Sequence, residues 1–155
     1  MTAARRVSAA IRALPEVRSW FIGGHSLGGV FAASWVAANP GSMQGVVFHA
    51  SYPAGQAELL SGQSILSYLS VEADRDGLMT RKETADKLES TFSQLPAASL
   101  SRVFVLGGNH AGFGHYGPQS FPRLDGERTI SLEQQQALVV DATASWLAAR
   151  TNGSK

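Results

Sequence analysis

Ser26 stands at the centre of Gly24-His25-Ser26-Leu27-Gly28, inside the stretch FIGGHSLGGVF. The pattern G-x-S-x-G, with strand-like residues before it and a helix-like segment after it, is what presenting a serine hydroxyl requires. A nucleophile must stand clear of the sheet on a sharp, strained turn. Glycine is expected at Gly24 and Gly28 because side chains there would collide with that turn. The helix that follows aims its first amides at the same spot, so the Leu27 N–H can donate to a developing oxyanion. The competing reading is a structural glycine turn with an incidental serine, which the strand and helix context disfavours.

A serine alone is a weak nucleophile and needs a base, which an acid orients. On such a turn the acid and then the base come from the ends of later strands. Two segments fall where that order demands: Glu72-Ala73-Asp74-Arg75-Asp76-Gly77 and Gly107-Gly108-Asn109-His110. His110 leaves its strand through a glycine pair, suited to a loop reaching over the sheet, and His115 in the same loop is the runner-up base. His25 adjoins the nucleophile, where its side chain is expected to diverge from it, and His49 reads as a packed strand histidine. Glu72, Asp74, Asp76, Gly77 and Glu83 also follow the spacing of a calcium loop. Glutamate at the first position, a strand before it and the lack of a partner loop weigh against calcium. No metal site is expected.

The elements that must position these residues follow from composition and spacing. At 155 residues, 44% apolar and 16% charged, residues 1–155 read as one globular domain. A net charge of +1 gives no electrostatic case for nucleic acid or anionic membranes, and the absence of cysteine excludes thiol catalysis and disulfides. The N-terminal MTAARRVSAAIRALPEV lacks the apolar core of a signal peptide, and Gly28 to Ala38 is too short to span a bilayer. A soluble chain of undefined localisation is expected. Periodicity predicts helices over Thr2–Leu14, Leu27–Asn39, Thr80–Leu95 and Ser131–Arg150, with a helical turn at Gln56–Leu60. It predicts strands over Val17–Gly23, Gly45–Ala50, Ile65–Val71 and Arg102–Leu106. Thr80 with Glu83, and Ser131 with Gln134, have capping-box spacing. Strands alternating with helices imply a parallel sheet of about four strands inside a three-layer α/β sandwich.

GGHSLGG, HASYPA, the DG of Asp76-Gly77, and GGNHAGFGHYGPQ followed by TIS and QQ together resemble the family-5 proteins of the α/β-hydrolase fold, relatives of dienelactone hydrolases and small esterases. The resemblance runs from about Val17 to Leu147. It implies carboxylic-ester or related hydrolysis without a cofactor, with Ser26 as nucleophile, His110 as base and Asp76 as acid, since the family's acid immediately precedes a glycine. Asp74 is the fallback acid. Gln119 to Arg128 (QSFPRLDGER) departs from the family's usual short polar link.

The fold this resemblance implies carries about four strands before the nucleophile strand, whereas here only one helix precedes it. The expectation is therefore the C-terminal half of the fold, lacking the loop that normally supplies a second oxyanion amide, with turnover lowered on the order of a hundred- to a thousandfold. The Val17–Gly23 strand would form an open edge, which a homodimer would close, or which the N-terminal helix would cover instead. Ser51 to Ser64 is too short for a cap domain, favouring an open site and small ester substrates. Phe113, Tyr116 and Phe121 are candidates for one wall of it, packing of the loop onto the sheet being the alternative. A non-catalytic remnant or interaction module is the competing function.

Overall fold

Residues 3–151 are described by a computed structural model, and their apolar spacing is realised as alternating helix and strand. The order is α1 (Ala3–Ala13), β1 (Phe21–His25), α2 (Leu27–Ala38), β2 (Gly45–His49), α3 (Ala57–Ser61), β3 (Ser67–Ala73), α4 (Lys82–Phe92), β4 (Leu100–Val105) and α5 (Leu132–Thr151). The expected helix start at Thr2 lies outside the described residues. Among those residues no helix is long and apolar enough to cross a membrane.

The four strands are all parallel and lie in the order β1-β2-β3-β4. Side chains of a strand alternate between faces, and here both faces are apolar. Val46 and Phe48 of β2 and Tyr68 of β3 pack with Ala33 and Val36 of α2 and Leu88 and Phe92 of α4. Val47, Leu69, Val71 and Val105 pack on the opposite side with Val139 and Trp146 of α5. The result is the expected three-layer α/β sandwich, with the central strands β2 and β3 buried on both faces. β1 pairs with β2 alone, so its outer edge has no strand partner among the described residues.

Two local expectations are corrected. β1 runs from Phe21 to His25 rather than from Val17 to Gly23, because its partner begins only at Gly45, in register with Phe21. Ahead of that point Gln44 closes the ladder, its N–H donating to Trp20 O and its Oε1 accepting from Trp20 N–H at 2.6 Å. Thr80 does not cap α4, whose N-cap is Arg81 without a side-chain hydrogen bond. The Thr80 hydroxyl instead donates to Asp76 O, closing the turn after β3. The second capping box forms as expected: Ser131 Oγ accepts from Gln134 N–H at 3.1 Å and Gln134 Oε1 from Ser131 N–H at 2.8 Å.

Candidate active site

The site is built where β1 passes into α2. Ser26 takes φ 54° and ψ −124°, a conformation that costs a side-chain-bearing residue about 1–3 kcal/mol. Its neighbours hold it there. Ser26 N–H donates to His49 O at 3.0 Å, and Ser26 O accepts from Gly29 N–H at 3.0 Å and from the Ser51 hydroxyl at 2.6 Å. A Cβ on Gly24 would lie 2.3 Å from the Gly28 carbonyl carbon and 2.6 Å from Gly29 N, so the turn admits only glycine there. The expectation for Gly28 is corrected, since a Cβ on it would meet nothing within 4 Å. Leu27 is the first residue of α2, and its N–H, like the others of a first helical turn, has no carbonyl one turn back to bond.

The ends of β3 and β4 supply an acid and a base in contact. His110 Nδ1 lies 2.8 Å from Asp76 Oδ2, and the two side chains are 1% and 0% exposed, so water does not separate them. Asp76 Oδ1 accepts from the N–H groups of Leu78 and Met79, each at 2.8 Å. With Oδ1 engaged by two N–H groups, Oδ2 is the oxygen that faces Nδ1, an arrangement that suits the tautomer whose Nδ1–H donates to Oδ2 and whose Nε2 accepts. Among the described residues Ser26 Oγ has no hydrogen-bond partner. In unliganded sites such bonds are often long and tighten only with substrate.

Other candidates separate by geometry. Asp74 accepts from Gly107 N–H at 2.5 Å and pairs with Arg75 at 3.6 Å, away from His110. His115 faces Gln136 on the exposed side of its loop, 3.5 Å away. Glu72 is held by Arg102 and Ser70, so Glu72, Asp74 and Asp76 turn to three different partners, and among the described residues no cluster of metal-binding side chains forms. His25 belongs to β1 and packs its ring 4.5 Å from that of His110, with Tyr116 stacked at 5.4 Å and Phe113 at 5.6 Å. Its pKa is pushed down to about 4, first by burial and then by repulsion from the His110 charge. Burial also lowers that of His49, whose Nε2 meets the Thr143 hydroxyl at 3.0 Å. Phe113 also packs against the core beside α5, Tyr116 is largely exposed over His25, and Phe121 points to solvent. A depression of about 540 Å³ on the flank of the base loop, lined by Asn109, Leu124 and Leu132 among others, includes none of Ser26, Asp76 and His110.

Three residues that sequence reasoning did not single out shape the site. Ser51 ties the end of β2 to the Ser26 carbonyl. Gln135 is fully buried and grips the Asn109 peptide from both sides, its Oε1 accepting at 3.1 Å and its Nε2 donating at 2.7 Å. Its register with Val139 and Trp146 on the inward face of α5 is the signal that marks it. Asp125 contacts both the acid turn and the base loop.

A serine on a strained strand-to-helix turn, followed by acid and base from later strands of a parallel sheet, defines a recognisable architecture. Residues 1–137 match the sequence profile of the alpha/beta hydrolase family. The chain belongs to that family. Its hydrolase fold is also found in solved structures. The chain is similar to a predicted CIB-like hydrolase from Thermoplasma acidophilum, with 16% identity and a TM-score of 0.58, covering 90% of this chain and 56% of that one. It is likewise similar to TT1662 from Thermus thermophilus, with 19% identity and a TM-score of 0.58, covering 94% of this chain and 60% of that one. The chain thus spans little more than half the length of these neighbours. None of the curated proteins matches it.

Proposed function

We propose that this chain is a serine hydrolase acting on small carboxylic esters through Ser26, His110 and Asp76, without a cofactor. The observation that carries the reading is the buried 2.8 Å contact between Asp76 and His110, on strands that follow a serine held at positive φ. His110 Nε2 takes the hydroxyl proton as Ser26 Oγ attacks the ester carbonyl. The carbonyl oxygen becomes an oxyanion, towards which the Leu27 N–H donates. Collapse breaks the carbon–oxygen ester bond, and His110 Nε2 returns its proton to the departing alkoxide. Water then attacks the acyl-serine with the same base, releasing the acid and restoring Ser26. Asp76 stays ionised and holds the imidazole tautomer. Tyr116 and Phe113 form one side of an open site, which suits small or exposed esters.

The second reading, a hydrolase fold kept as an interaction module without turnover, is favoured by the outer edge of β1, which has no strand partner among the described residues. A fluorophosphonate probe separates the two. Labelling of the wild type that is abolished by Ser26→Ala and sharply slowed by His110→Ala and Asp76→Asn supports the hydrolase. Labelling that survives Ser26→Ala removes Ser26 as the nucleophile, and an unlabelled but folded wild type supports the module.

A further inference from the structure

Asp125 lies in the connection between the base loop and α5, and its carboxylate collects backbone N–H groups from two distant segments. Oδ1 accepts from Gly77 at 2.9 Å, from His110 at 3.2 Å and from Gly126 at 2.8 Å, while Oδ2 accepts from Ala111 at 2.8 Å. Gly77 directly follows Asp76, and His110 and Ala111 are the base and its neighbour. One carboxylate therefore binds the backbone beside the acid and the backbone beneath the base at the same time. Charge-assisted bonds of this kind are roughly twice as strong as neutral ones.

The segment is seated by contacts of its own. A Cβ on Gly126 would lie 1.8 Å from Arg75 O, so at that position only glycine lets the chain reach the acid turn. Asn109 Nδ2 donates to Gly126 O at 2.8 Å, joining the same segment to the base loop. Without this bridge the 2.8 Å contact between Asp76 and His110 would rest on two side chains whose loops are otherwise joined by Arg75 N–H to Gly108 O and Gly107 N–H to Asp74 Oδ1.

We propose that Asp125 is a positioning residue that sets the separation of acid and base, an inference that rests on the triad reading above. It touches neither the reacting serine nor the imidazole nitrogens. Its effect passes through the backbone, and a misplacement near 1 Å is enough to cost about a hundredfold in rate.

The test compares Asp125→Asn with the wild type by two readouts. The first is the rate of fluorophosphonate labelling. The second is the downfield proton resonance of His110 Nδ1, assigned by its loss in His110→Ala, which reports the contact with Asp76 whether or not the protein turns anything over. Asp125→Asn is expected to slow labelling roughly ten- to hundredfold and to broaden or abolish the resonance, with kcat falling and KM for a small ester little changed. A resonance and a labelling rate within twofold of wild type in the folded variant would overturn the proposal. A wild type that shows the resonance but does not label refutes the hydrolase reading alone, and loss of the resonance in Asp125→Asn then still supports the bridge. Should the variant not fold, amide exchange of the wild type decides. Gly77, His110 and Ala111 should open together with one protection factor, and unrelated protection factors would overturn the bridge.

Discussion

The ring of His25 carries a pH dependence that can be worked out from its surroundings. It is packed between His110 and Tyr116, and its Nε2 is buried without a hydrogen-bond partner. Burial, then the His110 charge, push its pKa from 6.5 down to about 4, with Asp76 opposing. The folded state therefore keeps the ring neutral, while the unfolded chain binds a proton below pH 6.5. Stability falls as the pH drops from about 6.5 towards about 4, and this contribution levels off below that. The ceiling for such a displacement is about 3 kcal/mol over the whole window and about 2 kcal/mol at pH 5. His25 is only half-buried, so screening by solvent brings the expectation at pH 5 to about 1 kcal/mol. For a domain of this size that is about 3 °C in Tm. The assay is thermal or urea unfolding at pH 7 and pH 5, for wild type and His25→Gln. The variant loses ring packing at both pH values, so only the difference between them reports the titration. His49 acts in the same sense in both proteins. The loss between pH 7 and pH 5 should be smaller in His25→Gln by about 3 °C. Equal losses would refute the reasoning.

Gly24→Ala should unfold the elbow or abolish labelling of Ser26, at a cost of about 3 kcal/mol or more, while Gly28→Ala should be nearly neutral; urea denaturation compares them, and equal damage would reject the steric assignment. Arg102 binds Glu72 through two nitrogens at 2.7 Å and Glu89 at 2.7 and 2.8 Å, holding the Glu89 pKa down by the side-chain hydrogen bond. Arg102→Met strands the buried Glu72 and should cost about 3 kcal/mol at pH 7, read by chemical denaturation, with Glu72→Gln in the same background restoring part of the loss. Light scattering at micromolar concentration tests the homodimer proposed to close the edge of β1; a stable, soluble monomer would exclude it.

The layered architecture was legible because both faces of the sheet are covered. Runs such as GVVFH and SYLSVEA then read as strands without any alternation to interpret. The elbow was legible because it is local, a pentapeptide between two periodic segments. Gly28 shows the limit of that reading: the steric demand falls on Gly24, and on the backbone of Gly28 and Gly29 rather than on a side chain at Gly28. The start of β1 could not be found from its own residues, because it is set by where Gly45 begins on the partner. Thr80 misled because a hydroxyl serves a turn as readily as a helix end. The residues alone left Asp76 and Asp74 open, and only the resemblance, through Gly77, favoured Asp76; in the fold one meets His110 and the other Gly107. Asp125 left no signature at all. Its distant partners lie 14, 15 and 48 residues away, and a backbone N–H looks the same in every sequence.

The strand order has a consequence for how the protein comes into being. Because β1 to β4 lie side by side in chain order, each of β2, β3 and β4 leaves the ribosome with its earlier neighbour among the described strands already made. Such nearest-in-sequence pairing suits a chain that folds as it emerges, N-terminal part first. The serine turn is then synthesised long before β4 and the His110 that follows it. The contact between Asp76 and His110 can therefore form only once β4 has docked beside β3.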